Sequence, residues 1–211
     1  WPAWLEGLES STITELSLRN NRISEIPWDL SANQTAADSP TTIALQGNPL
    51  SRLTMMRIGL NEGPGSRFRL HLDLPPHLAA HIAVLQQERL QLREAIDIWA
   101  QASSSSRPLS EETIELRRVI GEGLLEFWRS YSEGQTQSVL TLQGISLEDF
   151  PPRLPAFFYM RVRNLQLIRV SADASRMNTF MSSFPQLTSL ELTGRVEPEP
   201  ALPSALRQLT R

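Results

Sequence analysis

ITELSLRNNRISEIPWDL, residues 13–30, decides how the rest of the chain is read. Its apolar residues follow the spacing L-x-L-x-x-N-x-L-x-x-L-P, filled by Leu16, Leu18, Asn21, Ile23, Ile26 and Pro27. At 43–53 the stretch IALQGNPLSRL fills the same spacing with Ile43, Leu45, Asn48, Leu50 and Leu53. The step from Leu16 to Ile43 is the same as that from each of the others to its counterpart. Agreement at five positions, an asparagine among them, marks an internal repeat.

The pattern returns in weaker form. LTLQGISLEDFP (140–151) supplies Leu140, Leu142, Leu147, Phe150 and Pro151, with Ile145 at the asparagine position. LQLIRVSA (165–172) follows with Leu165, Leu167 and Val170, and LELTGRVE (190–197) follows at an equal, slightly shorter step with Leu190, Leu192 and Arg195. ALPSALRQLTR (201–211) reads as the lead-in to a further unit. An alternating L-x-L segment is a short strand with its leucines turned inward. The asparagine side chain satisfies backbone groups where the chain leaves the strand. Such a unit buries its apolar side only against its neighbours, so successive units stack into a solenoid lined by parallel strands.

Between Leu53 and Leu140 the repeat falls silent and helical spacing takes over. In HLAAHIAVLQQERLQLREAIDIWAQ (77–101), Leu78, Ile82, Leu85, Leu92, Ile96 and Trp99 recur at alternating four- and three-residue steps, with Arg89 in the polar slot. That is a stripe built for one partner helix. ASSSSRP (102–108) is a polar loop. Ser110 suits the N-cap of a second helix, Glu111 and Glu112 suit its positive end, and Gly134 suits its termination. Leu116, Ile120, Leu124, Phe127 and Tyr131 form its matching face. Two such helices joined by a short loop predict an antiparallel hairpin. NEGPGSRFRLHLDLPP (61–76), rich in breakers, is expected to be a connecting loop.

The fold class expected is therefore α/β: a repeat solenoid with a parallel strand ladder, interrupted by an inserted helical hairpin. Its parts are N-terminal repeats over 1–60, connecting loop and hairpin over 61–137, and C-terminal repeats over 138–211. Together they make one continuous solenoid, truncated at both ends. A chain of 211 residues with 40% apolar content has enough to build such cores. It opens Trp1-Pro2-Ala3-Trp4 without an initiator Met or a leader pattern, and so reads as a piece of a longer protein.

Composition narrows the function. The 20 basic and 23 acidic residues nearly balance, which argues against a nucleic-acid footprint. No apolar run approaches the roughly 18–20 residues of a membrane span. The chain has no cysteine, which removes disulfides, thiolate metal sites and a cysteine nucleophile. His77 and His81 stand four apart, with His71 and Asp73 near, but no third ligand follows from the spacing. They read as solvated histidines at a helix start. Ser103 to Ser106 belong to a loop, and Gly63 and Gly65 flank a proline in a turn rather than opening a phosphate-binding helix. No acid, base and electrophile come together, and no cofactor motif is present. The chain is expected to bind rather than catalyse.

The repeats resemble the leucine-rich repeat family. The combination of repeats, a helical hairpin carrying GLLEFWRSY (123–131), and a returning unit with Leu140, Leu142, Gly144, Leu147, Phe150, Pro151, Leu154 and Pro155 is similar to large secreted bacterial effectors. SSFPQLTSLELTG (182–194) looks like another of their units. These are dermonecrotic-toxin-like proteins whose C-terminal part is often a cysteine-dependent ubiquitin ligase. Since this chain holds no cysteine, the resemblance implies recognition, or restraint, of a ligase located downstream. It also implies secretion by a bacterium and delivery into a host cell. The partner expected is a protein, either of the host or a neighbouring domain. Substrate recognition is the first reading; the alternative is a regulatory domain holding a catalytic neighbour inactive through the hairpin.

Alternation within the strands names the residues that point away from the core. In the first two units they are Glu15, Ser17 and Arg19, then Thr42, Ala44 and Gln46; in the third, Val139, Thr141 and Gln143. Asn164, Gln166 and Ile168, then Ser189, Glu191 and Thr193, complete the rows. Glu15, Ser17, Arg19, Thr42, Gln46, Thr141, Gln143, Asn164, Gln166 and Glu191 are the candidate partner-binding residues.

Overall fold

A computed structural model of the chain describes residues 13–26, 41–61, 68–102, 110–134 and 137–194. Pro27, Gly63, Gly65, Ser103 to Ser106, Arg195 and the segment 201–211 lie outside the described residues. The fold is mixed α/β, with short parallel strands and five helices among the described residues. The chain divides into two compact units, Trp1–Gln86 and Gln87–Arg211.

The first unit contains β1 (Glu15–Ser17), β2 (Thr41–Ala44) and β3 (Phe68–His71) in one parallel sheet of that order. Leu16 pairs with Ile43, and Ile43 with Leu70. The sequence repeat is thus the strand register, and it continues once more beyond the second layer. This corrects the expectation that 61–76 is only a connecting loop and that the repeat is silent there. Leu70 and Leu72 are the third L-x-L, but Pro75 stands at the asparagine position, and the missing asparagine hides the layer in the sequence. Ile43, Leu45, Ile58, Phe68 and Leu70 form the buried core, with Leu16, Leu18, Ile23, Ile26, Leu50 and Leu72 packed around it.

Asparagine fastens the first two layers as its chemistry predicts. Asn48 Nδ2 donates to Leu18 O at 2.7 Å and to Leu45 O at 2.8 Å, while its Oδ1 accepts from Ile23 N at 3.2 Å. One side chain therefore serves three backbone groups from two successive layers. Asn21, in the outer layer, donates only within its own turn, to Leu18 O and Arg19 O. Backbone bonds repeat on the same period: Leu18 N donates to Ala44 O, and Leu45 N to His71 O. Asn20 N donates to Gln46 O, but its counterpart Gly47 N finds the Asp73 side chain at 2.8 Å instead. At that point the third layer leaves the pattern, because Pro76 opens a helix.

Strand exits turn through left-handed backbone at Asn20 (φ 55°) and Gly47 (φ 73°). A β-carbon at Gly47 would lie 2.1 Å from Asn20 Oδ1, so glycine also lets the neighbouring layer's side chain lie across the turn. After β2 the chain returns through α1 (Arg52–Asn61), whose first turn is capped by Ser51 Oγ accepting from Thr54 N.

The long helix α2 (Pro76–Gln101) starts on a proline, whose missing N–H costs nothing at the first helical turn. Its predicted stripe is buried throughout: Leu78, Ile82, Leu85, Leu92, Ile96 and Trp99. In the first unit, Gln86 Nε2 donates to Gly59 O of α1 at 2.7 Å. In the second unit, α3 (Glu111–Ser132) runs against the later turns of α2. Arg117 donates to Trp99 O and Ala102 O, satisfying carbonyls at the end of α2, and its guanidinium lies 5.4 Å from the Trp99 ring centroid. A β-carbon on Gly121 would stand 2.6 Å from Ile96 Cγ2, so its absence permits close helix approach. Pairing of Trp99 with Arg117 and of Ile96 with Gly121 is the antiparallel sense expected. Ser110 Oγ accepts from Thr113 N at the predicted N-cap, and Gly134 follows the helix with φ 78°.

The rest of the second unit is a parallel sheet of β4 (Val139–Gln143), β5 (Asn164–Ile168) and β6 (Ser189–Thr193), joined by α4 (Ala156–Arg161) and α5 (Ala174–Ser182). Leu140, Leu165 and Leu190 align, as do Leu142, Leu167 and Leu192, on the offset of the later repeats. Gly144, Arg169 and Gly194 repeat the left-handed exit on that period. In place of asparagine, the exit is held by backbone: Gly144 N donates to Ile168 O, Ser171 N to Ile145 O, and Leu147 N to Ser171 O. Phe158, Leu165, Leu167 and Met177 sit at the centre, each 1% exposed or less. A mostly buried ion pair of 2.5 Å joins Arg161 of α4 to Glu88 of α2.

If Asn48 fastens the layers, Asn48→Ala leaves Leu45 O and Ile23 N of a half-buried turn dependent on water and leaves Leu18 O with Asn21 as its one side-chain donor. We expect a loss of about 2–3 kcal/mol in urea unfolding, against roughly a few tenths for Asn21→Ala at the outer layer.

Candidate interaction surface

The outward strand positions form rows in each sheet. In the first sheet Glu15, Thr42 and Arg69 share one row, and Ser17, Ala44 and His71 the next. One step beyond the strands, Arg19 Nε donates to Gln46 Oε1 at 3.0 Å, and Asp73 follows on the repeat offset. Glu15, Ser17 and Arg19 are exposed, while Thr42 and Gln46 are half-buried. Ala44 departs from the expectation that it points to solvent: it is only 1% exposed. Arg69, His71 and Asp73 were missed for the same reason as β3, although the repeat offset from Thr42, Ala44 and Gln46 lands on them.

In the second sheet the middle row is Thr141, Gln166 and Glu191. These three side chains form a hydrogen-bonded ladder. Thr141 Oγ1 donates to Gln166 Oε1 at 3.1 Å, and Gln166 Nε2 donates to Glu191 Oε2 at 2.9 Å. The Gln166 amide thus spends one group on each neighbour. Gln143 is exposed beside Ile168 and Thr193. Asn164, half-buried, donates to Ser138 O at 3.2 Å and so braces the start of β4. Val139, 45% exposed, adds apolar area on the outward face beside the polar row, whereas Leu192, 39% exposed, lies on the inward face of the outermost described strand.

His71, His77 and His81 are all exposed, and Asp73 is engaged by the Gly47 amide. Among the described residues, no group of three His, Asp or Glu side chains is placed to hold a metal. None of the described helices is long and apolar enough to cross a membrane.

Sequence spacing did not point to a cleft of about 450 Å³ in the second unit, lined by Leu147, Phe150, Pro151, Tyr159, Arg176 and Phe180 among others. Tyr159 is half-buried there, and its hydroxyl accepts from Leu154 N at 3.3 Å. Burial raises its pKa, with the Leu154 hydrogen bond opposing.

Comparison with family models, curated proteins and solved structures finds no match to the chain.

The raised Tyr159 pKa has a measurable sign. The folded chain favours the neutral phenol, so the unfolded chain loses its proton first and stability falls as pH rises from about 10. In Tyr131→Phe, which leaves Tyr159 as the only tyrosine, phenolate absorbance should titrate above the free-tyrosine value in the folded protein. A midpoint at or below the free-tyrosine value would contradict the burial described.

Proposed function

We propose that the chain is a protein-recognition module of the leucine-rich repeat type, each sheet a run of three stacked layers. Its outward strand rows are the docking surface for a protein partner. The Thr141–Gln166–Glu191 ladder carries this reading, because it presents donors and acceptors in a fixed row and so lowers the entropy a partner must overcome. The in-register L-x-L layers and the asparagine bridge are what such repeats require, which supports the family reading. Function is then binding rather than catalysis. The setting proposed is that of a secreted bacterial effector, with this region selecting the substrate of a ubiquitin ligase carried elsewhere in the parent.

A second reading rests on a different observation. α2 and α3 carry outward apolar side chains at Val84, Leu90, Ile98, Ile114 and Val119, each at least half exposed. These suit contact with a neighbouring domain of the parent, through which the hairpin would hold a catalytic domain closed. Deleting 77–131 from the parent should then raise its activity.

The two separate in one experiment. Thr141→Ala, Gln166→Ala and Glu191→Ala together should lower capture of a specific host protein at least tenfold, with circular dichroism unchanged. Undiminished capture removes the strand rows as the site.

A further inference from the structure

The cleft in the second unit is a built two-part environment. One wall is aromatic and apolar. Phe150, Phe180 and Tyr159 line it; Phe150 and Phe180 meet edge to face at 5.1 Å, and buried Phe184, outside the lining, packs against Phe180 at 4.9 Å and Tyr159 at 5.5 Å. Leu147, Pro151 and Pro152 extend that wall. The polar part of the lining comes from α5 and its C-cap, with Ser175, Arg176, Thr179 and Ser183.

Most of those polar groups are already engaged within the protein. Thr179 donates to Ser175 O, and Ser183 to Thr179 O. Asp173 Oδ1 is committed to the Arg176 amide as the helix cap, at 2.7 Å. Arg176 is different. Its Nε donates to Leu147 O at 3.3 Å, which tethers the guanidinium to the far wall of the cleft. Its two terminal nitrogens make no hydrogen bond or ion pair among the described residues. A guanidinium held at one nitrogen, with its remaining fork open beside an aromatic wall, suits an oxyanion whose body is apolar. The volume matches that of small-ligand sites, about 300–1,000 Å³.

We infer that this cleft binds a small amphiphilic anion, its carboxylate or sulfonate on the Arg176 terminal nitrogens and its apolar body against Phe150, Phe180 and Pro151. The site is independent of the strand rows, so it stands or falls apart from the recognition reading.

The test uses two fluorescent probes of like shape, 1-anilinonaphthalene-8-sulfonate and the uncharged N-phenyl-1-naphthylamine, titrated into the whole chain. Wild type should bind the sulfonate more tightly than the neutral probe. Arg176→Met should raise the Kd of the sulfonate about tenfold or more and leave the neutral probe within about twofold, since only the charge-assisted contact is lost. Thr179→Trp, which fills the mouth from an exposed helical position, should remove both. Circular dichroism confirms that each variant is folded. No preference for the sulfonate in wild type, equal loss of both probes in Arg176→Met, or binding undisturbed by Thr179→Trp would each overturn the inference.

Discussion

Asn48 joins Leu18 O, Leu45 O and Ile23 N, and the rest of the first sheet depends on that junction. A strand this short cannot bury its own leucines or satisfy its own exit turn. The partners must come from the layer beside it. The asparagine amide has one donor group and one acceptor at the right reach, and the repeat period delivers the neighbouring carbonyl to it. The second sheet meets the same need differently. Isoleucine occupies the asparagine position at 145, and the exit is held by backbone bonds between adjacent layers. Two chemical solutions thus maintain one geometry, parallel strands with aligned leucines.

That alignment has a consequence on the outward side. Once leucines are in register, the residues between them are also in register, and like positions meet across strands at about 5 Å. Thr141, Gln166 and Glu191 become a ladder for this reason rather than by separate arrangement. The same constraint sends the chain back through helices after Leu147 and Val170. There α5 and the 147–152 turn come together to enclose the cleft. Core register and the two candidate surfaces share one cause.

How much of this was legible in the sequence varied with the kind of signal. Leu16, Leu18 and Asn21 with their counterparts were legible because strand and turn each impose a residue type at a fixed place. The hairpin was legible because the buried residues of α2, from Leu78 to Trp99, keep strict helical spacing. β3 was not, since Pro75 replaces the asparagine that makes a layer recognisable, although Leu70 and Leu72 keep the period. Ala44 was placed outward by alternation and lies buried, a lone methyl group set between Ser17 and His71 in its row. The cleft had no local signature at all. Phe150 and Phe180 lie in separate repeat layers, and only the folded backbone brings them together.

The central claim is that layers pair in one register, set by the repeat period. Amide hydrogen exchange along β1 and its exit tests it most directly. Leu18 N and Asn20 N are bonded to Ala44 O and Gln46 O, whereas Ser17 N points away from β2, on the side where β1 has no neighbouring strand among the described residues. Protected amides at Leu18 and Asn20, alternating with a fast Ser17, is the result expected. Protection at Ser17 with fast exchange at Leu18 would mean a register shifted by one residue, with the leucines turned outward, and would contradict the account.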